Sequence, residues 1–182
     1  MISKFYELVK FKNKINYYLF YGENDGQKLD TIESNFKNFT KENTYKYSEK
    51  DILADTRIFI ENLYSKSFFE KEKLIIISDV TDKILGLIQE NLKTKVEDII
   101  IILIAKKLDK KSKIRNFFEK EKTLVIVPFY EDTPQTLISI AKKILNRTIE
   151  LNPNYLRPYS ILAGILVEEG NLEKAESFLR KS

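Results

Sequence analysis

The sequence predicts an α/β domain, a three-layer parallel sheet of five strands, followed by an all-helical segment. Three observations predict it. Short uninterrupted β-branched runs, Lys73-Leu74-Ile75-Ile76-Ile77-Ser78 and Ile99 to Ile104, have the pattern of strands buried on both faces. Stretches with apolar residues three and four apart alternate with such runs as far as Val127, which places helices over both faces of a parallel sheet. After Thr133-Pro134 only helical periodicity remains.

In chain order, Ile2, Phe5, Tyr6, Leu8 and Val9 predict a short amphipathic helix to Phe11, broken by Asn13 to Asn16. Tyr17 to Tyr21 is a first buried strand, ended by Gly22. Leu29, Ile32, Phe36 and Phe39 place a helix from Gly26 to Phe39. Thr44 to Tyr47 is a second strand, and Ser48 is a fair N-cap for one helix over roughly 51 to 65. A strand at Leu74 to Ser78 precedes a helix near 82 to 93, then the strand at Ile99 to Ile104. Lys110 to Lys120 is a short basic helix with Ile114, Phe117 and Phe118 on one face. Leu124 to Val127 is the fifth strand, which Pro128 is expected to stop. Pro134 sits at a helix start, and Leu137 to Ile149 continue that helix. Pro153 and Pro158 punctuate, Ile161 to Val167 and Leu172 to Leu179 are helical, and Glu169-Gly170-Asn171 turns between them. Two domains follow, residues 1–133 and 134–182.

Composition excludes several kinds of chemistry. At 182 residues the chain holds one full domain with a core and a small appendage. Hydrophobic residues at 43% and charged residues at 32% fit a globular chain and not a disordered one. Lys and Arg number 31 against 27 Asp and Glu, an excess of four that compels no nucleic-acid partner. Cysteine and histidine are absent, which removes disulfides, thiolate and imidazole catalysis and the common zinc ligands together. The longest apolar run, Ile99 to Ala105, is too short for a bilayer, and the N-terminus lacks a signal peptide's apolar core, so a cytoplasmic address is expected.

Two places invite comparison with nucleotide chemistry. Gly22-Glu23-Asn24-Asp25-Gly26-Gln27-Lys28-Leu29 keeps the spacing of Gly and Lys found in a phosphate-binding loop. Gln27 replaces the expected Gly, and Leu29 replaces the hydroxyl residue that would meet magnesium. Glu23 and Asp25 add negative charge where phosphates would sit. The simpler reading makes Lys28 a solvated helix residue. Asp79, after Ile75-Ile76-Ile77-Ser78, stands where such proteins present a magnesium-binding Asp, but Val80 replaces the acidic base beside it, and a turn or N-cap role is simpler. Lys106, Lys107, Lys110, Lys111, Lys113 and Arg115 read as a solvated face, interrupted by Asp109 and Glu119. A third place is different: Phe68 and Phe69 are two large rings between Ser67 and Glu70-Lys71-Glu72-Lys73, and rings in so polar a setting either fold back or serve a partner.

Taken in order, YYLFYGEND, SKSFFEKEKLIII, IIIILIAKKLDKKSKIRNFFEK and LVIVPFYE resemble the delta subunit of the bacterial DNA polymerase III clamp loader in its N-terminal domain, over about residues 1 to 140. The resemblance implies the Rossmann-like sheet of the AAA+ class with its ATP site lost, hence no cofactor and no intrinsic catalysis. It also implies that the domain binds and helps open the ring-shaped sliding clamp through a hydrophobic pair before the third strand. By position that pair is Phe68 and Phe69, with Ser67 ahead of it. Two rings in an apolar pocket bury roughly 300 to 500 Å² and can dominate a small interface. The partners implied are the sliding clamp and other loader subunits, with DNA only indirectly and no membrane. Gly22, Lys28 and Asp79 become degenerate loop positions, not expected to bind.

The end of the chain departs from that family. Ala141, Leu145, Leu151 and Pro153, then Tyr159, Leu162, Ala163, Leu166, Gly170, Ala175 and Leu179, resemble one and a half tetratricopeptide repeats. Such a piece cannot close a solenoid core, because each unit buries its face on neighbours. A fusion, a truncation or an assembly artefact is expected, with the family's own lid helices as the alternative. Two other functions compete with clamp binding: a tetratricopeptide interaction adaptor, and a residual NTPase using Lys28 and Asp79.

Overall fold

The computed structural model describes residues 1–11, 15–65, 72–94 and 98–180. They form two compact units, Met1–Glu131 and Asp132–Ser182.

The first unit is built on five strands, β1 (Tyr17–Gly22), β2 (Thr44–Ser48), β3 (Lys73–Ser78), β4 (Ile99–Ala105) and β5 (Leu124–Phe129). They pair in the order β2-β3-β4-β1-β5, and every pairing is parallel. Side chains alternate across a strand, so β1 feeds two cores. Leu19 and Tyr21 join Ile75, Ile77, Ile101 and Leu103 on one face, while Tyr18 and Phe20 join Ile102, Val125, Val127 and Phe129 on the other. α1 (Asp25–Asn35) covers the second face with Ile32, joined by its C-cap residue Phe36. The first face is covered by α2 (Glu49–Ala54), α3 (Thr56–Tyr64), α4 (Leu85–Lys93) and α5 (Lys113–Lys120), which contribute Ile52, Phe59, Leu63, Ile88, Ile114 and Phe118. The β-branched runs of β3 and β4 lie buried between these layers, as their pattern predicts.

Four expectations are corrected. The helix expected over 51 to 65 is two helices, because Asp55 leaves the helical region (φ −142°, ψ 77°) and its carboxylate caps α3 by accepting from the Ile58 amide at 3.0 Å. Pro128 does not stop the fifth strand, which runs on to Phe129. β5 is an edge strand, where a missing amide costs no ladder bond if it faces away from the sheet. The N-terminal helix is a 3₁₀ turn, Phe5–Phe11, and Ile2 instead bridges Ile126 on the β5 edge. The basic helix begins at Lys113, since Asp109 folds the preceding residues into a turn by accepting from the amides of Lys111 (2.7 Å) and Ser112 (3.0 Å).

The second unit contains α6 (Pro134–Leu151), α7 (Arg157–Glu168) and α8 (Leu172–Leu179). Thr133 caps α6 with Pro134 in its first turn. Pro158 opens α7 instead of separating helices. Gly170, at φ +76°, makes the turn into α8, and Ala163, Leu166 and Ala175 form a small core between α7 and α8 with Phe178 against it. No helix among the described residues is long and apolar enough to cross a membrane.

Candidate functional site

The loop after β1, the strand between β4 and β5, is fixed first by its glycine. Gly22 has φ +127°, and a Cβ there would lie 1.9 Å from the carbonyl oxygen of Phe129 on β5. Only glycine accommodates both the backbone angle and that approach. Asn24 then caps α1, its side chain accepting from the Gln27 amide at 3.0 Å.

Lys28, one turn into α1, is not solvated. It is 1% exposed, which overturns the sequence expectation. Its ammonium donates to the carbonyl of Gly22 at 2.8 Å, to the carbonyl of Ala105 at 3.0 Å, and to Asp25 Oδ1 at 2.7 Å. Three donors meet three acceptors, so a buried charge is compensated from β1, β4 and its own helix. The hydrogen bond from Lys28 holds the Asp25 carboxyl below the usual carboxylate range. A depressed folded pKa contributes stability above the unfolded value and loses it as pH falls through the folded value, so this link weakens only in acid. The adjoining cleft of about 270 Å³ is lined by Asp25, Lys28, Leu29, Ser78, Asp79 and Lys106, among others.

The structure brings Asp79 to that cleft, at the end of β3, exposed and at φ +55°, a left-handed turn position. Capping falls to its neighbours. Thr81 caps the following 3₁₀ turn, accepting from the Lys83 amide, while its own amide and hydroxyl donate to buried Glu49 at 2.8 and 2.7 Å. Asp82 accepts from Ser112 Oγ (2.8 Å) and from the amides of Lys113 and Ile114 (both 2.9 Å), so it caps α5 from a distant part of the chain. Burial pushes the Asp82 carboxyl up, but the two amides and the hydroxyl outweigh it and hold the group below its ordinary value. Glu49 and Asp82 were missed by sequence reasoning, because their partners lie 32 and 30 residues away.

The basic face divides. Arg115 is spoken for: its Nε donates to Glu119 at 2.8 Å, an Nη donates to the Leu108 carbonyl at 3.0 Å, and its guanidinium lies 5.0 Å from the Tyr21 ring centre. Lys106, Lys107, Lys110, Lys111 and Lys113 remain exposed. Among the described residues no group of His, Cys, Asp and Glu could hold a metal ion.

Ser67, Phe68 and Phe69 lie outside the described residues. The chain on either side of them is held by Lys73, a buried lysine that the strand pattern concealed. It is 4% exposed at the start of β3, and its ammonium donates to the carbonyls of Asn62 (3.0 Å) and Ser65 at the end of α3 and lies 5.2 Å from the Tyr45 ring centre. A cation on the last carbonyls of a helix satisfies orphan acceptors and the helix dipole together. Lys73→Met is expected to cost about 2 kcal/mol and to speed hydrogen exchange of the Ser65 amide, which closes the last turn of α3 on Glu61. Unchanged protection of that amide would show that the ammonium does not hold the helix end.

The first unit is thus an open, all-parallel α/β domain in which the loop after β1 is closed on its own lysine. The chain belongs to the DNA polymerase III delta subunit family, whose model matches residues 18–127, more than half of its length. Its fold is similar to that of the Bacillus subtilis DNA clamp loader delta protein YqeN, at a TM-score of 0.57 and 15% identity, over 79% of this chain and 47% of that one. The chain therefore spans about half the length of that protein. A DNA polymerase III gamma subunit-related protein from Thermotoga maritima is also similar, with a TM-score of 0.49 and 14% identity over 96% of this chain and 58% of that one. No curated protein matches the sequence.

Proposed function

We propose that the chain is a non-catalytic component of a DNA polymerase III clamp loader that binds the sliding clamp through Phe68 and Phe69, with Ser67 beside them, in the cytoplasm and without a cofactor. The observation that carries this reading is the commitment of Lys28. With its three donors on Gly22, Ala105 and Asp25, the loop keeps no free lysine for a phosphate, and Leu29 offers no hydroxyl to a metal. In this reading the sheet is an AAA+-like one whose phosphate loop has degenerated, with Gly22, Lys28 and Asp79 as its remnants. What such a domain retains for a delta-family role is contact with another protein. The fastening of α3 and β3 by Lys73 supports the same reading, because rings presented from fixed stems lose less conformational freedom on binding. Other loader subunits are the further partners, and α7 and α8, turned at Gly170 and packed through Ala163 and Ala175, are read as tetratricopeptide-like.

The test is the double substitution Phe68→Ala with Phe69→Ala, measured for binding to the sliding clamp by surface plasmon resonance. Binding is expected to be lost while folding stability stays within about 2 kcal/mol of the parent. Undiminished clamp affinity at unchanged stability would rule the assignment out.

A further inference from the structure

α6 carries more apolar residues than the described structure packs. Ile138, Ala141, Leu145 and Ile149 are half-buried, and α6 packs with α7. Leu137, Ile140, Ile144 and Leu151 are exposed, from 43% at Ile140 to 71% at Leu151, and no residue of α6 is buried. At 100° per residue these four fall within about 60° of arc, a straight stripe along the helix. By the same spacing the half-buried four occupy the adjoining arc, so α6 carries one broad apolar face of which only one edge is packed.

The charges beside the stripe select its occupant. Lys143 and Arg147 flank Ile144 on the side away from α7 by the same helical spacing, and α6 as a whole carries Lys142, Lys143 and Arg147 against a single carboxylate, Glu150. Lys142 is paired with Glu169 and Arg147 with Glu150, while Lys143 makes no ion pair among the described residues. A second copy is a poor fit. Ile144 is the midpoint of the stripe, so antiparallel self-pairing brings Lys143 and Arg147 of both copies to the same edge at the centre, where like charges repel. We infer that the stripe docks an amphipathic helix of a partner protein whose apolar residues are edged by Asp or Glu. This surface lies on the second unit and does not depend on clamp binding through Phe68 and Phe69.

The test uses the full chain and two fluorescein-labelled helical peptides of the length of α6, with leucines at the same spacing, one edged by Glu and the other by Lys. In anisotropy titrations the Glu-edged peptide is expected to bind at least about tenfold more tightly than the Lys-edged one. Ile144→Asp is expected to abolish that binding at unchanged melting temperature, and Arg147→Glu to invert the preference between the peptides. A lost fold cannot produce an inversion, so the second variant separates docking from damage. Failure of both peptides to bind, or equal binding of both, would overturn the inference. So would a lower melting temperature in Ile144→Asp, which would mean that the chain itself covers the stripe, or a parent dimer that Ile144→Asp dissociates in sedimentation velocity, which would put a second copy there.

Discussion

Gly22→Ala is expected to destabilise the α/β unit by about 4 kcal/mol or more, lowering its melting temperature by roughly 15 °C. Two costs add. The backbone at φ +127° belongs to a region open to glycine and closed to residues with a Cβ. The new methyl would also stand 1.9 Å from the Phe129 carbonyl oxygen, and that oxygen belongs to strand backbone, so it cannot swing aside as a flexible side chain would. Relief requires β1 and β5 to separate at the end where Gly22 pairs with Phe129. Both strands contribute buried side chains to two cores, so the separation cannot stay local. Since a domain holds only about 5 to 15 kcal/mol in reserve, the loss is a large share of the whole. Thermal denaturation followed by circular dichroism measures it, and a shift of only a few degrees would show that the two strands part easily there.

Lys28→Met is expected to cost about 3 kcal/mol in urea denaturation, with the carbonyls of Gly22 and Ala105 left buried without their donor. The sign carries the meaning. A lysine kept free for a ligand is a strained, uncompensated charge in the empty protein, and removing it leaves stability unchanged or raises it. A lysine that fastens β1, β4 and α1 to one another must destabilise when removed. Isothermal titration with Mg-ATP completes the comparison: neither the parent nor Lys28→Met is expected to give a heat of binding. A stabilised Lys28→Met together with nucleotide binding by the parent would restore the residual NTPase reading.

Much of the fold was legible from the residues. The runs in β3 and β4 are too apolar and too short for anything except strands with both faces covered, and their alternation with helical spacing leaves a parallel sheet as the natural arrangement. The candidate site was less legible. The spacing of Gly22 and Lys28 marked the loop, yet a lysine beside Asp25 and Gln27 reads as a surface residue, because sequence distance does not reveal that the Ala105 carbonyl waits 77 residues away. Lys73 was hidden as the polar first residue of a strand, because nothing local marks that its partners sit at the end of the preceding helix.

The sequence by itself determined the order of strands and helices, the absence of histidine and cysteine chemistry, the missing Gly and hydroxyl in the loop after β1, the cap at Ser48 and the helix start at Pro134, since each follows from local propensity or composition. Only the tertiary structure decided the strand order β2-β3-β4-β1-β5, the break at Asp55, the run of β5 through Pro128, and the fates of Lys28, Lys73, Glu49 and Asp82. For Lys28, Glu49 and Asp82 the physical reason is the same. A charge or a polar backbone group enters a core only where partners from distant segments converge on it, and that convergence is a property of the assembled sheet.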